Sequence, residues 1–287
     1  MFSISEQYTA FDRAKDLPDN SIRNGELVRG YSTTQLGLAY DLLESLGLQL
    51  TIPLIIRRYD KIRNFRAATE HDSGFGDISL SGYYTFYNYN DGERAVRAGV
   101  SAGVKFPTGD TGVLRDIDST QSAPGSAQDL LFKHHTSGVS ASGRALTFGT
   151  GSYDYILGLN NLLRHQRLLF FSYLQYTLRT EGDFNYEFAD DLTFSSGPGY
   201  FIFLEHDRSI ALRLALSGEF KGKDELNNRS VEGSQVSNLY LGPEILFLIN
   251  AKISGEAGLD FRVSSEDSGA QVVPHTRIRF GLSYRFS

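Results

Sequence analysis

His275-Thr-Arg-Ile-Arg-Phe-Gly-Leu-Ser-Tyr-Arg-Phe286 places an apolar or aromatic side chain at every second position. The apolar positions are Ile278, Phe280, Leu282, Tyr284 and Phe286, and the positions between them hold Arg277, Arg279, Gly281, Ser283 and Arg285. Side chains alternate between the two faces of a β-strand with a period of two. The segment is therefore predicted to be one strand with an oily face and a cationic face.

The composition fits neither an ordinary soluble enzyme nor a helical membrane protein. Mean hydropathy is −0.26, and no apolar run approaches the roughly 18 to 20 residues that a membrane-spanning helix needs. Aromatic residues nevertheless make up 13% of the chain. Alternating strands hide such residues from a hydropathy window, because polar positions dilute the apolar ones. Without Cys, the chain has no disulfide framework and no thiolate ligand or nucleophile.

The same alternation recurs along the chain and predicts about twelve strands. Each predicted segment is close to the roughly 9 to 11 residues, plus overhang, that a tilted strand needs to cross a bilayer. The predicted segments are 2–13, 31–42, 46–57, 76–88, 95–106, 151–161, 167–179, 193–204, 208–220, 236–248, 251–263 and 275–286.

Short and long connections alternate between these segments. The short ones are 43–45, 88–94, 161–166, 205–207 and 249–250, and the long ones are 14–30, 58–75, 107–150, 180–192, 221–235 and 264–274. Outer-membrane barrels have short periplasmic turns and longer external loops. The sequence therefore predicts an all-β, up-and-down antiparallel transmembrane barrel, with residues 1–287 in a single domain and both termini in the periplasm.

The charged strand faces are predicted to point into this barrel. An Arg or Lys on the lipid-facing side near the membrane midplane costs about 2 to 4 kcal/mol. A soluble barrel of twelve strands with its apolar face inward would leave a void too wide to pack. A soluble sandwich of two sheets is the alternative that the alternation itself leaves open.

Inward charged residues are the candidate pore lining. The predicted pore-lining residues are Arg97, Lys105, Arg213, Glu219, Glu256, Asp260, Arg262, Arg277, Arg279 and Arg285. The same alternation turns inward Asp41, Arg57, Asp77, Asp154, Arg179, Glu244 and Lys252. A cationic lumen would attract small anions. Alternatively, the Arg residues pair with carboxylates across strands and hold the wall together.

Five aromatic residues cluster at the end of the fourth predicted strand. They are Tyr83, Tyr84, Phe86, Tyr87 and Tyr89. Aromatic residues form girdles where barrels meet the membrane interfaces, so an interfacial girdle is predicted here. A stacking platform for a sugar or an arene is the alternative.

Several motifs resemble a known family. They are His71-Asp-Ser-Gly-Phe-Gly-Asp77, Gly103-Val-Lys-Phe-Pro-Thr-Gly-Asp110, Phe148-Gly-Thr-Gly-Ser152 and the two-strand stretch Gln35–Arg58. From about residue 31 the chain resembles outer-membrane β-barrels of the phenol-degradation (MetA-type) and transporter family. The final strand, ending at Phe286, also looks like the assembly signal of such barrels. The resemblance implies an outer-membrane channel, and it supplies neither a catalytic residue nor a defined solute.

The longest connection, 107–150, is predicted to lie outside the cell, as a gate folded into the pore mouth or as a solvated loop. It contains His134, His135 and Ser137 close to several Asp residues. Nucleophilic catalysis requires a base within hydrogen-bond reach of the hydroxyl. Because sequence neighbours do not establish that geometry, a lipid-hydrolase site or a bound cation here remains the minor alternative.

The favoured function is passive diffusion of small solutes through a channel in the outer membrane of a Gram-negative bacterium, without a cofactor or metal. Anionic or aromatic compounds are the candidate solutes, and outer-membrane lipid and lipopolysaccharide are the surrounding partners. A net charge of −6 argues against a nucleic-acid partner. Alternatives are a hydrolase at the barrel rim, a non-conducting structural barrel, and a conduit that opens laterally at the break Ser195-Ser-Gly-Pro-Gly199.

Overall fold

The computed structural model describes residues 1–11, 24–63, 66–112, 114, 147–231, 234–265 and 274–286. Within these residues no helix has the length and apolar character needed to span a membrane. The strands are β1 (Phe2–Phe11), β2 (Asn24–Asp41), β3 (Leu46–Arg63), β4 (Arg66–Phe75), β5 (Ser79–Asn90), β6 (Arg94–Lys105), β7 (Asp154–His165), β8 (Leu168–Leu178), β9 (Tyr186–Glu187), β10 (Asp191–Leu204), β11 (Ser209–Lys221), β12 (Glu225–Leu226), β13 (Arg229–Ser230), β14 (Val236–Asn250), β15 (Ile253–Ser265) and β16 (Pro274–Tyr284).

Twelve of these strands close into one antiparallel ring, which confirms the predicted barrel. The order around the ring is β1, β2, β3, β5, β6, β7, β8, β10, β11, β14, β15 and β16, and β16 returns to β1. The closing seam pairs Phe2 with Tyr284 and Tyr8 with Ile278. Each described strand of the ring therefore has a hydrogen-bonded neighbour on both sides, as a bilayer requires.

The alternation of exposure along the strands confirms which face is outside. On β11, Leu212 and Leu214 are 47% and 49% exposed, whereas Arg213 between them is 6% exposed. An apolar surface that encircles a barrel in this way would be unfavourable in water and matches the lipid-facing band of membrane barrels. The charged faces point inward, as predicted.

β4 lies outside the ring, in a connection that the sequence predicts to be a long loop. β3 pairs with β5 through Leu46–Thr51 and with β4 through Leu54–Arg63. The prediction of a loop over 58–75 is therefore wrong. The reason is that Arg66–Phe75 is polar or small at most positions of both faces, so it lacks the apolar period by which a membrane strand is recognised. β2 likewise begins at Asn24, where the alternation predicts a loop.

Two Gly-Pro pairs interrupt the hydrogen-bonded ladders of the ring. Between β10 and β11 the paired register stops at Ser196 and resumes at Gly199; between β14 and β15 it stops at Leu241 and resumes at Glu244. Proline has no N–H to donate to a ladder. Both interruptions flank the same residue, Leu214, which pairs with Pro243 on one side and stands beside the Pro198 break on the other.

A small folded cap extends from the strand ends opposite the short turns. It is built from the sheet of β9, β12 and β13, and Tyr186 and Phe188 pack with ring centroids 4.8 Å apart. The Tyr186 hydroxyl donates to Asp224 at 2.8 Å, and Lys221 forms a fully buried ion pair with Asp224 at 2.5 Å. Burial, together with the Asp224 carboxylate, raises the pKa of the Tyr186 phenol well above its usual range. The described parts of the long connections 180–192 and 221–235 therefore contain packed structure.

Gly242→Ala is expected to destabilise the barrel, because the added Cβ would lie 1.8 Å from the carbonyl oxygen of Leu259. Overpacking of this kind costs about 1 to 3 kcal/mol. The free energy of unfolding in urea, measured on protein refolded into lipid vesicles, checks the expectation. Gly82→Ala is the matched control, since its Cβ would meet Leu48 at an ordinary 3.8 Å. An equal loss of stability in both variants would contradict the role given to the close backbone approach at Gly242.

Candidate functional site

The structure divides the ten predicted pore-lining residues into two groups. Arg97, Lys105 and Arg285 border a cavity of about 840 Å³ inside the barrel. The remaining seven lie on three strands of the ring: Arg213 and Glu219 on β11, Glu256, Asp260 and Arg262 on β15, and Arg277 and Arg279 on β16. Contact of each residue with a passing solute stays a prediction.

The second group is organised around an inner ion network of Arg213, Glu244, Asp260 and Arg279. Arg213 contacts Glu244 directly across the β11–β14 pair. Arg279 donates to both carboxylate oxygens of Asp260, at 2.8 and 2.9 Å, and also to Glu244 at 3.2 Å. Two cations and two buried carboxylates therefore compensate each other.

Gly258 makes the geometry of the inner ion network feasible. It lies between Glu244 and Arg279 in the register, paired with Glu244 on β14 and with Arg279 on β16. A Cβ at this position would lie 3.2 Å from Nη2 of Arg279 and 3.5 Å from Cγ of Glu244. The missing side chain lets Arg279 reach over β15 to a carboxylate two strands away.

A second pairing lies beside this network. Arg277 donates to Glu219 at 3.1 Å, and its guanidinium stacks on the ring of buried Tyr240 at 3.8 Å from the centroid. Arg262 lies opposite Tyr240, and Glu256 lies opposite Gly281. Among the described residues, neither Arg262 nor Glu256 is part of an ion pair. Of the four Arg residues predicted to face inward on the C-terminal strands, Arg277 and Arg279 are thus engaged with carboxylates across strands, as the second of the two sequence interpretations expects.

A further row of charges, the rim ladder, runs around the barrel at the end away from the short turns. It alternates in sign and consists of Asp77, Lys105, Asp154, Arg179 and Asp191. Lys105 lies 2.7 Å from Asp77 and 2.6 Å from Asp154, and Arg179 lies 2.5 Å from Asp154 and 2.6 Å from Asp191. Each cation is held between two carboxylates, so this row links the ends of β5, β6, β7, β8 and β10.

Asp77 also fixes both ends of the long connection 107–150. It accepts hydrogen bonds from the backbone N–H groups of Gly109 at 2.9 Å and Thr150 at 2.8 Å. Phe148 packs over the guanidinium of Arg57 at 4.2 Å. The interpretation of the central part of this connection as a gate, and the hydrolase or cation site at His134, His135 and Ser137, fall outside the described residues.

Half of the residues that border the cavity are uncharged and polar, and the pattern of charges in the sequence does not predict them. Asn160 and Asn161 of β7 and Tyr173 and Gln175 of β8 contribute amides and a phenol to its lining. The inward alternation on these strands is the signal that could have identified several of them. In the described part of the chain, no group of three or more His, Asp or Glu side chains is placed to hold a metal ion.

Tyr83 does not face the same side as the other residues of the predicted aromatic cluster. Its hydroxyl donates to Asp41 inside the barrel, and a Cβ at Gly47 would lie 2.2 Å from that hydroxyl oxygen. Tyr84, Phe86 and Tyr87 are exposed on the outside, where a register shift between Thr85 and Tyr87 turns two successive aromatic residues outward. Tyr83 is therefore a lumen residue and not part of the lipid-facing girdle.

Comparisons with known proteins agree with this architecture. No protein-family model and no curated protein matches the sequence. An outer membrane channel from Pseudomonas putida F1 has a TM-score of 0.59 and 14% identity, over 99% of this chain and 95% of that one. The NanC porin has a TM-score of 0.46 and 10% identity over 100% of both chains. LpxR from Salmonella typhimurium has a TM-score of 0.40 and 10% identity, over 99% of this chain and 100% of that one.

The first of these similarities shows the fold, and the other two superpose too loosely to add to it. The chain therefore has the fold of a Gram-negative outer-membrane β-barrel, and its apolar belt places it in that membrane.

Asp154→Asn is expected to weaken the barrel strongly, because Lys105 and Arg179 share this fully buried carboxylate. Removing one partner of a buried ion pair typically costs about 3 to 5 kcal/mol. Urea unfolding of the refolded barrel measures the loss. Asp207→Asn, in the exposed turn between β10 and β11, is the control and should change stability by less than about 0.5 kcal/mol. Similar unfolding midpoints for the two variants would show that the rim ladder does not hold the strand ends.

Proposed function

We propose that this protein is an outer-membrane channel through which small solutes diffuse passively, without a cofactor. One observation carries the proposal: a closed barrel with a lipid-facing exterior encloses a cavity of about 840 Å³ bordered by polar side chains. A core that served stability alone would be filled with apolar side chains, as in small barrels. A water-accessible polar interior is instead the arrangement of barrels that conduct.

The inner ion network limits how wide such a channel can be. It occupies the β11, β14, β15 and β16 side of the interior with paired side chains, while the cavity is bordered largely by strands from β3 to β8. A path displaced to one side suits small solutes. Anionic or aromatic compounds are the solute classes that we propose, and membership of the phenol-degradation (MetA-type) and transporter family rests on the motif resemblance.

The surrounding lipids are the other proposed partners. The exposed Leu, Tyr and Phe side chains of the belt would contact phospholipid and lipopolysaccharide acyl chains. We further propose that residues 1–287 form one domain and that the connection 107–150 lies on the external side. The fixed positions of its two ends, at Gly109 and Thr150, support this placement.

Asn160→Trp is expected to lower single-channel conductance severalfold in planar bilayers, because the indole would fill the cavity that Asn160 borders. Leu159→Trp is the matched control. Leu159, the residue before Asn160, is exposed on the lipid side, so the conductance of this variant should equal that of the wild-type protein. A folded wild-type barrel that carries no current would contradict the channel and favour a structural barrel. Release of fatty acid from phospholipid, with or without calcium, would favour the hydrolase.

A lateral conduit is the second candidate function, and the Gly-Pro interruptions favour it. Gly197 would place a Cβ 1.9 Å from the carbonyl oxygen of Leu214, so the two backbones touch there without ladder pairing. A seam with fewer hydrogen bonds opens at a lower cost than a fully paired one. Such an opening would connect the interior with the bilayer and would serve apolar solutes.

A disulfide across this seam separates the two candidate functions. Ser196→Cys with Leu216→Cys joins residues that are directly opposite in the register, in a chain that has no Cys of its own. Oxidation should reduce uptake of an apolar fluorescent solute into vesicles, reversibly with reductant, and leave ion conductance unchanged. Leu157→Cys with Tyr176→Cys crosslinks the uninterrupted β7–β8 seam as the control. Equal uptake before and after oxidation of the first pair would exclude the lateral path.

A further inference from the structure

Two arginines that border the cavity differ from the paired cations of the inner ion network and the rim ladder. The guanidinium of Arg97 donates to the hydroxyl of Thr85 at 3.3 Å, and Arg285 uses its backbone N–H to bond the carbonyl of Lys252 at 2.8 Å. Among the described residues, neither guanidinium has a carboxylate within ion-pair distance. Both side chains are exposed and border the same cavity. Two available guanidinium groups can bind a carboxylate by charge-assisted hydrogen bonds.

The remaining charged side chains around the cavity do not cancel these two. Lys105 and Asp77 are paired with each other at 2.7 Å, at the opposite end of the cavity. Asp41 accepts a hydrogen bond from Tyr83 and is the carboxylate on the same side as the arginines. Two cations against one carboxylate leave this end positive, and a low-dielectric barrel strengthens its attraction for anions.

The positions of the two arginines show where along the channel the site lies. Arg97 lies opposite Asn88 and Leu162, close to the short turns that join β5 to β6 and β7 to β8. Arg285 directly follows β16 and is bonded to the turn that precedes β15. Both therefore lie near the periplasmic end, where a solute that has entered from outside would be held before release.

The uncharged lining indicates what the rest of the solute looks like. Side chains that can both donate and accept hydrogen bonds include Gln35, Gln49, Ser81, Asn160 and Gln175. Such groups match hydroxyls on a ligand. Hydroxyls on a solute would replace the hydrogen bonds of the water on these groups, whereas a bare aromatic ring would contact only the apolar part of the lining, such as Ile156 and Phe171.

Inward glycines make room for the serine hydroxyls that border this part of the lumen. A Cβ at Gly103 would lie 2.2 Å from the hydroxyl oxygen of Ser81, and a Cβ at Gly158 would lie 2.3 Å from that of Ser101. The serine hydroxyls occupy the room that side chains would take. The resulting cavity of about 840 Å³ is within the range of roughly 300 to 1,000 Å³ typical of small-molecule sites.

We propose that this cavity is a binding station for hydroxylated carboxylates, with Arg97 and Arg285 holding the carboxylate and the amide and hydroxyl lining holding the hydroxyl groups. The proposal rests on the channel function and names its solute class. It places selectivity at Arg97 and Arg285 and not at the inner ion network, whose charges are already compensated.

Gluconate is the probe, because it combines one carboxylate with several hydroxyls. Calorimetric titration of the full, refolded chain in detergent should detect gluconate binding, and Arg97→Gln with Arg285→Gln should weaken it at least about tenfold, the loss expected when a charged hydrogen-bonding partner is removed. Each single variant should give an intermediate loss. Arg167→Gln is the charge-matched control: this guanidinium bonds the carbonyls of Phe201 and Ile202 at the same end of the barrel and does not border the cavity. The affinity of the Arg167→Gln variant for gluconate should equal that of the wild-type protein.

Sorbitol and benzoate test separately the contributions of the hydroxyl groups and of the carboxylate to binding. Sorbitol keeps the hydroxyls without the charge, and benzoate keeps the charge without the hydroxyls, so both should bind more weakly than gluconate. Benzoate binding as tight as gluconate, or equal affinities in the double variant and the Arg167→Gln control, would overturn the proposal. Because titration needs no current, a barrel that conducts chloride but binds no gluconate refutes only this inference. A barrel that binds gluconate yet carries no current refutes the channel.

Discussion

The requirement that every backbone N–H and C=O be bonded within the bilayer shapes the whole molecule. Strands can meet it only by closing into a ring, and pairing of β1 with β16 completes that closure. Closure then fixes one face of each strand toward lipid and the other toward the lumen. Leu212, Leu214 and their counterparts are exposed because lipid and not water surrounds them. Charges such as Arg213 are buried because the lumen is the remaining place for them.

A charged interior creates a second constraint, since buried charges are costly unless they are paired. The inner ion network and the rim ladder meet it by placing each of their cations against carboxylates on neighbouring strands. Gly258 shows how closely backbone and charge are linked, because its missing side chain admits Arg279 to Glu244. Against this background, two arginines that face a cavity without a carboxylate partner among the described residues are unusual, and this contrast is the basis for assigning them to a ligand.

At the Gly-Pro interruptions, the requirement that all backbone N–H and C=O groups be bonded is only partly met. Each removes a section of ladder, yet the backbones still approach so closely that a Cβ at Gly197 or Gly242 would collide with a neighbouring carbonyl oxygen. Both lie next to Leu214. Weak pairing is thus concentrated in one sector of the ring, on the same side as the inner ion network, while β5 through β8 pair with fewer irregularities.

The barrel, the number of ring strands and the direction of their faces could be predicted from the amino-acid pattern, because a period of two in segments such as 275–286, together with the alternation of short and long connections, favours a membrane barrel. The sequence also identified most of the charges that lie inside. It could not identify β4, which lacks an alternating apolar face, or the outward position of both Phe86 and Tyr87, which a register shift decides. Which cations are compensated depends on the folded barrel. Arg279 and Arg97 occupy similar alternating positions in the sequence. Pairing of β14, β15 and β16 brings Arg279 to two carboxylates, whereas Arg97 faces the cavity. Partners on distant strands are set by register and closure, which no local pattern encodes.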